Sequence, residues 1–355
     1  MERLPRTVHD IYGTDPEEVT RATYYIFDDR LEIERNLTEI RELTIFTTVS
    51  MVYETDEPEI WHISKLTNLK SVKIYYSGKY TDGLVLPDDL FEGMTQLSEV
   101  YLRYVNVDLK QLLQPVSSTL TSLYLVSMHI DSLDEIALPE LEVLQISDCV
   151  FKSDMALYLN NCPKLWKLEI EESGMALLPD VQDCTELEIV RVRSTDLRED
   201  NISSYDWSEL KKLVMLEISD CDIRGTLNST MRQLTNLQLL NVANNRLDGD
   251  LSNVSSLTNL RELNLLHNRF EGSLDYLIDL PVLRYLDISG TNLVLPAELL
   301  LGELIEVHAV DTPIKRLPDV RTHYLQVTVS KDVTADPKYW RKTYTFADTV
   351  TYESA

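Results

Sequence analysis

The sequence predicts an α/β solenoid: a curved, right-handed superhelix with a parallel β-sheet on its concave side and short helices or 3₁₀ turns on its convex side. Three observations predict it. Between Leu234 and Leu293 one pattern is written three times: Leu234, Leu237, Leu240 and Val242 recur as Leu257, Leu260, Leu263 and Leu265, then as Leu280, Leu283, Leu286 and Ile288. The period is 23 residues at both steps, and a regular period of this size marks units that cannot bury their apolar face alone and must stack on a neighbour. The same LxxLxxLxL frame runs back to Leu37 and forward to Ala309, giving about twelve units. Each frame also closes on two apolar residues at period 2, as a short strand does when both side chains point inward.

Residues 1–36 precede the frame and are expected to cap its first turn. A helix is the expected cap: Asp15 suits the N-cap, Pro16 the first helical position, and Glu17 and Glu18 complement the dipole, with Val19, Ala22 and Ile26 on one face. A strand through RATYYIF is the rival, because Tyr24, Tyr25, Ile26 and Phe27 favour β structure. The solenoid is placed at 37–320. Its longer units carry LVLPDDLFEG and YDWSELKKL, which could hold short helices, while IRGTLNSTM, LDGDLSNV and FEGSLDYL favour extended or 3₁₀ returns. After Leu317 the frame dissolves, and 321–355 is expected to be a β-rich C-terminal cap in which Trp340, Tyr344 and Phe346 cover the last unit. The start of a further domain is the alternative there.

The chain has 355 residues, a length that a solenoid can accommodate because its core grows in one dimension. Its 33 basic and 59 acidic side chains give a formal charge of -26. Such a surface repels nucleic acid and anionic membranes and favours a protein or peptide partner with a basic face. No apolar run approaches the roughly 18 residues that span a bilayer, and Met1 opens onto ERLPRTVHDIYGTDPEE rather than an apolar signal core. The expected compartment is the cytoplasm, or outside the cell if a native signal or anchor has been trimmed. In the latter case the sequons at Asn36, Asn201, Asn228 and Asn253 are glycan candidates.

The frame LxxLxxLxLxxNxL, complete in Leu234–Leu247 and Leu257–Phe270, resembles the leucine-rich repeat superfamily over roughly residues 37–320. The resemblance implies that Asn245 and Asn268 satisfy backbone groups of the inward-turning loop, and that Cys149, Cys221, Thr195, Thr291, Thr312, Ser77 and Ser173 fill the same column. Val105 and Met128 cannot donate a hydrogen bond there, so the third and fourth units are expected to be the least regular. The Gly-x-Leu returns at Gly225, Gly249 and Gly272 are similar to plant-specific and protist repeats, and LPDDLFEGMTQL and CPKLWKLEI look like repeats of plant intracellular immune receptors. Neither a nucleotide-binding motif nor cysteine-rich flanking caps accompany them.

Little in the sequence points to chemistry. All four cysteines occupy repeat positions and read as buried thiols; Cys149 and Cys221 lie about 14 Å apart at the inter-strand spacing, and Cys162 and Cys184 are one unit apart. No CxxC, HExxH, P-loop or dinucleotide fingerprint occurs, so no metal or cofactor is expected. Asp287, Ser289 and His308 superficially assemble a catalytic set, but His does not fall between Ser and Asp, and no oxyanion donors are evident, so no enzyme is expected.

The outward columns of the strands are more informative. The residue between the two inward positions runs Thr44, Lys73, Tyr101, Tyr124, Gln145, Glu169, Arg191, Glu217, Asn241, Asn264, Asp287 and His308. Aromatics gather at one end, where Phe46, Tyr75, Tyr101 and Tyr124, with Tyr76 and Tyr104 at the strand edge, adjoin Arg103. Tyrosine and arginine are enriched at interface hot spots, although large side chains also pack across neighbouring strands; both readings stand at this level. Further along, Glu169 and Glu171 face Arg191 and Arg193 as exposed cross-strand pairs. The reading that follows is a non-enzymatic interaction scaffold that binds a protein or peptide along a concave face about 50 Å long. A ligand-sensing fragment of a larger receptor is the alternative.

Overall fold

The computed structural model describes residues 7–11, 21–26, 41–47, 66–76, 84–131, 133, 136–151, 157–198, 200–295, 298–299, 304–320, 325–346 and 348–354. They form two compact units, the first comprising Met1–Trp166, Glu172–Met175 and Pro179–Cys184, the second Lys167–Glu171, Ala176–Leu178 and Thr185–Ala355.

In the first unit β1 (Thr7–Ile11) runs antiparallel to β2 (Arg21–Ile26). From β2 a parallel sheet proceeds through β3 (Glu42–Thr47), β4 (Ser71–Tyr76), β5 (Glu99–Arg103), β6 (Ser122–Val126) and β7 (Val143–Ser147), each strand pairing with the next. The helix expected across Val19 to Ile26 is therefore corrected over Arg21–Ile26, where the aromatic and β-branched residues Thr23 to Ile26 pair as a strand with β3. Asp15, Pro16, Glu17 and Glu18 lie outside the described residues. The inward pairs Val72/Ile74, Val100/Leu102, Leu123/Leu125 and Leu144/Ile146 are at most 1% exposed, as are the anchors Leu69, Leu97, Leu120 and Leu141. Every coil thus adds one layer to a continuous apolar column.

β5, β6 and β7 hand over to their returns through a residue in the left-handed region: Tyr104 (φ 58°), Ser127 (φ 51°) and Asp148 (φ 52°). That conformation costs a non-glycine residue roughly 1–2 kcal/mol. It also aims the backbone N–H at the following coil: Tyr104 donates to Val126 O (3.0 Å) and Ser127 to Ser147 O (2.9 Å). The returns hold short parallel pairs, Leu84–Val85 with Val105–Asn106 and His129–Ile130 with Val150–Phe151. Val105 and Met128 are buried in the loop column, yet β5, β6 and β7 pair over five residues without a register shift. The expected irregularity is absent because main-chain groups satisfy one another, Leu84 N with Tyr104 O and Val150 N with Met128 O.

The helix expected in LVLPDDLFEG is a short strand and then turns, closed by Gly93 at φ 81°. A helix forms instead at α1 (Leu109–Leu113), where the Asp108 side chain accepts from Lys110 N and Gln111 N and so caps its first turn.

The second unit repeats the plan with β8 (Lys167–Glu171), β9 (Ile189–Arg193), β10 (Met215–Ser219), β11 (Leu239–Asn241), β12 (Glu262–Asn264), β13 (Tyr285–Asp287), β14 (Glu306–Ala309) and β15 (Gln326–Ser330), all parallel. The hairpin of β16 (Trp340–Phe346) and β17 (Thr349–Ser354) closes it, with β17 antiparallel to β15. The frame therefore does not dissolve after Leu317: Leu325, Val327 and Val329 are buried and carry it one coil further. Trp340 is buried and donates from Nε1 to Pro318 O (2.8 Å), whereas Tyr344 is 61% exposed on the outer strand and covers nothing. The Phe346 side chain lies outside the description.

YDWSELKKL forms turns rather than a helix, with the Asp206 side chain accepting from Ser208 N in the first of them. As expected, extended and 3₁₀ segments occupy the short returns, at Arg224–Thr226 with Ser229–Gln233 and at Glu271–Ser273 with Leu274–Leu277. Gly225 adopts φ 104°, and a Cβ there would fall 1.9 Å from Asn201 Oδ1, so both backbone and space require glycine.

Between strand and return lies a buried polar column. Asn245 donates from Nδ2 to Ile218 O (2.7 Å), Val242 O and Ala243 O, and accepts at Oδ1 from Cys221 N and Ile223 N. Asn268 repeats this with Val242 O, Leu265 O and Leu247 N. Thr195, Thr291 and Thr312 donate to Arg193 O, Ile288 O and Ala309 O, while Cys149 and Cys221 direct their thiols at carbonyls of their own and the preceding coil. Ser173 accepts from Cys149 N. Ser77 lies outside the described residues.

Replacing Asn245 with alanine strands at least two buried donors and one acceptor, and should cost about 3 kcal/mol. A fall in the urea midpoint measures it, with no comparable change for Asn259→Ala at the exposed edge.

The four cysteines are free and buried, and burial pushes Cys149 and Cys162 up to about 11 and Cys184 and Cys221 up to about 12. A folded value above the ordinary thiol value of 9.0 means stability intact below that pH and lost as pH rises through 11 and 12. At mildly alkaline pH the native chain should therefore resist a soluble disulfide reagent, and all four thiols should titrate once denaturant is added.

Candidate functional site

The strand registers align the outward residues as the sequence frame implies. In the first unit Thr44, Lys73, Tyr101, Tyr124 and Gln145 are successive partners, and Phe46, Tyr75, Arg103, Val126 and Ser147 form the adjoining column. The Phe46 side chain lies outside the description. Tyr75 stacks on Tyr101 with ring centroids 4.6 Å apart, and Tyr101 stacks on Tyr124 at 6.0 Å. Tyr76 and Tyr104 meet separately at 6.1 Å in a tilted pair, with Tyr76 buried and therefore a packing residue. Arg103 is exposed beside the row, and Lys73 pairs with Glu99 at 2.9 Å. Burial, reinforced by Tyr75, pushes the Tyr101 phenol above its ordinary value against the opposing charges of Arg103 and Lys73. It stays a protonated donor.

In the second unit the column runs Glu169, Arg191, Glu217, Asn241, Asn264, Asp287 and His308. Arg191 sits between two carboxylates, its Nη1 on Glu169 and its Nε on Glu217 (2.8 Å); Lys167 adds a second cation to Glu169 at 3.0 Å. Arg193 binds Glu171, which raises its guanidinium further, and reaches Glu217 at 4.0 Å. Of the two pairs expected to be exposed, Glu171–Arg193 stays partly open while Glu169–Arg191 is covered: Glu169 and Glu217 are 7% and 8% exposed, because long side chains laid across adjacent strands roof each other. Glu217 is the member that pairwise reasoning missed, although its place one strand beyond Arg191 signals it.

Beyond this network the carboxylate and amides fold back on their own strands. Asn241, Asn264 and Asp287 accept from the N–H two residues on, at Ala243, Leu266 and Ser289. Ser289 Oγ accepts from Val310 N and His308 Nε2 meets Glu306 at 2.7 Å, so Asp287, Ser289 and His308 are in register but directed apart. Burial, with Asp287 and Glu306 alongside, pushes the Tyr285 phenol up to about 12. Among the described residues no group of three or more His, Cys, Asp or Glu could hold a metal, and no helix is long and apolar enough to cross a membrane. At the sequons, Asn228 donates to Ser203 O and Tyr205 O and Asn253 to Leu227 O, so both amides serve the return turns. Asn36 lies outside the described residues.

Stacked coils with a parallel sheet, a buried Asn/Thr/Cys column and short extended returns define a leucine-rich-repeat fold. No family model and no curated protein matches the chain. Among solved structures it is similar to an internalin from Listeria monocytogenes, at 16% identity and a TM-score of 0.58 over 90% of this chain and 87% of that one. A leucine-rich-repeat protein of Leptospira interrogans gives 19% and 0.55, over 84% and 74%. The leucine-rich-repeat ectodomain of the plant membrane receptor kinase GASSHO1/SCHENGEN3 from Arabidopsis thaliana, in complex with Casparian strip integrity factor 2, gives 17% and 0.60, over 83% and 38%.

Replacing Arg191 with methionine leaves Glu169 and Glu217 covered without their shared cation and should cost about 2–4 kcal/mol. Converting both glutamates to glutamine in the same chain should restore most of the urea midpoint, as expected if the network serves the sheet itself.

Proposed function

We propose that the chain is a non-enzymatic scaffold that binds a protein or peptide on the outward face of the sheet in its first unit, which we take as the inner, concave side of its coils. The observation that carries this is the half-exposed row Tyr75, Tyr101 and Tyr124 with exposed Arg103 beside it. Rigid amphipathic rings beside a guanidinium supply contact area at low entropic cost, the usual make-up of an interface hot spot. In the second unit Glu169, Glu171, Arg191 and Arg193 pair with one another, which supports reading them as parts of the sheet, with the first unit the better candidate for a partner. The absence of catalysis is supported by Ser289, Asp287 and His308, each hydrogen-bonded to a different group. The solved complex of a plant receptor ectodomain with its protein factor supports a second reading, in which the chain is the ligand-sensing part of a receptor outside the cell.

Alanine at both Tyr101 and Tyr124 should weaken partner capture by more than about 1 kcal/mol while barely changing the melting temperature. Parallel pull-downs with wild type and the double variant test it. Loss of stability together with unchanged capture would assign the row to packing.

A further inference from the structure

The stacking geometry limits what the tyrosine row can offer a partner. Tyr101 lies between Tyr75 and Tyr124 at interplanar angles of 28° and 29°, so both of its faces are occupied by neighbouring rings. Its edge and its hydroxyl remain. The edge is the positive end of the aromatic quadrupole, and a protonated phenol is a donor. The formal charges agree: across β4 to β7 the outward positions contain Lys73 and Arg103 against one carboxylate, Glu99, in a chain with 59 acidic residues. Lys73 is tied to Glu99, while Arg103 makes no ion pair among the described residues. The outward columns of β8 to β13, by contrast, carry four carboxylates, Glu169, Glu171, Glu217 and Asp287, against Arg191 and Arg193.

We infer that the row is a docking strip for an extended, carboxylate-rich segment of a partner protein, with Arg103 and the Tyr101 and Tyr124 hydroxyls receiving its Asp and Glu side chains. This rests on the binding function proposed above and reverses the partner charge implied by the overall -26. Long-range repulsion from the rest of the surface then acts as a selectivity device, since an acidic segment finds local complementarity at the strip and like charge over most of the remainder.

The test uses the full chain and two end-blocked, fluorescein-labelled peptides of equal length, one alternating Glu and Leu, the other Lys and Leu. Anisotropy titrations with wild type and with the Tyr101→Ala, Tyr124→Ala variant isolate the strip-dependent part of each affinity, which removes diffuse attraction of the basic peptide to the acidic surface. The expected result is strip-dependent binding of the acidic peptide, weakened about ten-fold by Arg103→Glu and several-fold by Tyr101→Phe with Tyr124→Phe, which keep the rings and remove the donors. Strip-dependent binding of the basic peptide alone, or of both equally, overturns the acidic partner but leaves the strip as a binding site. If neither peptide depends on the strip while partner capture in pull-downs still does, the acidic partner alone falls; if capture is also independent of it, the proposed function falls as well.

Discussion

The two units depend on how a strand's end is satisfied when the chain turns inward. At that point several backbone donors and acceptors leave the sheet and enter an apolar interior, where each unpaired group would cost on the order of 1–3 kcal/mol. Asn245 answers for five such groups with one side chain, and Asn268 for a similar set. Threonine, serine and cysteine do a reduced version of the same work, each hydroxyl or thiol engaging one or two main-chain groups. Once those groups are paired, the apolar residues can stack coil on coil, and burial becomes additive along the chain.

The outward faces divide by chemistry. In the second unit charge is spent internally, with one arginine shared by two carboxylates and a lysine closing the group. In the first, aromatic rings stack and one guanidinium is left toward solvent. Side chains that satisfy one another stabilise a sheet but offer a ligand little, because a partner would have to break pairs before making its own. The tyrosine row carries no such penalty.

Much of this was legible in the residues. A frame with two inward positions fixed the register, so Lys73, Tyr101 and Tyr124 fall side by side as expected, and the Asn column was readable from its place after the strand. The failures share a cause. Returns and caps are governed by local turn chemistry: LVLPDDLFEG and YDWSELKKL form turns where composition favoured helices, while Asp108 caps a helix in DLKQLL. Strand identity at Arg21–Ile26 came from pairing with β3, and the coil at Gln326–Ser330 has Arg321 and Tyr324 in sequence where the earlier frame has its two anchors. For the site, columns were legible but burial was not, since the cover over Glu169 and Glu217 comes from how long side chains lie across strands.

The left-handed residue that follows a strand contributes its main-chain N–H, which reaches the next coil's carbonyl. Asp220, Asn244, His267 and Gly290 do so in the second unit as Tyr104 and Ser127 do in the first. Since the side chain is not part of that bond, residues from tyrosine to glycine occupy the rim, although the conformation disfavours β-branched types and a Cβ at Gly290 would fall 2.4 Å from His267 Cδ2. The rim thus accepts a wider range of side chains than the apolar interior, and it lies directly alongside the tyrosine strip, where further contacts with a partner are most easily added.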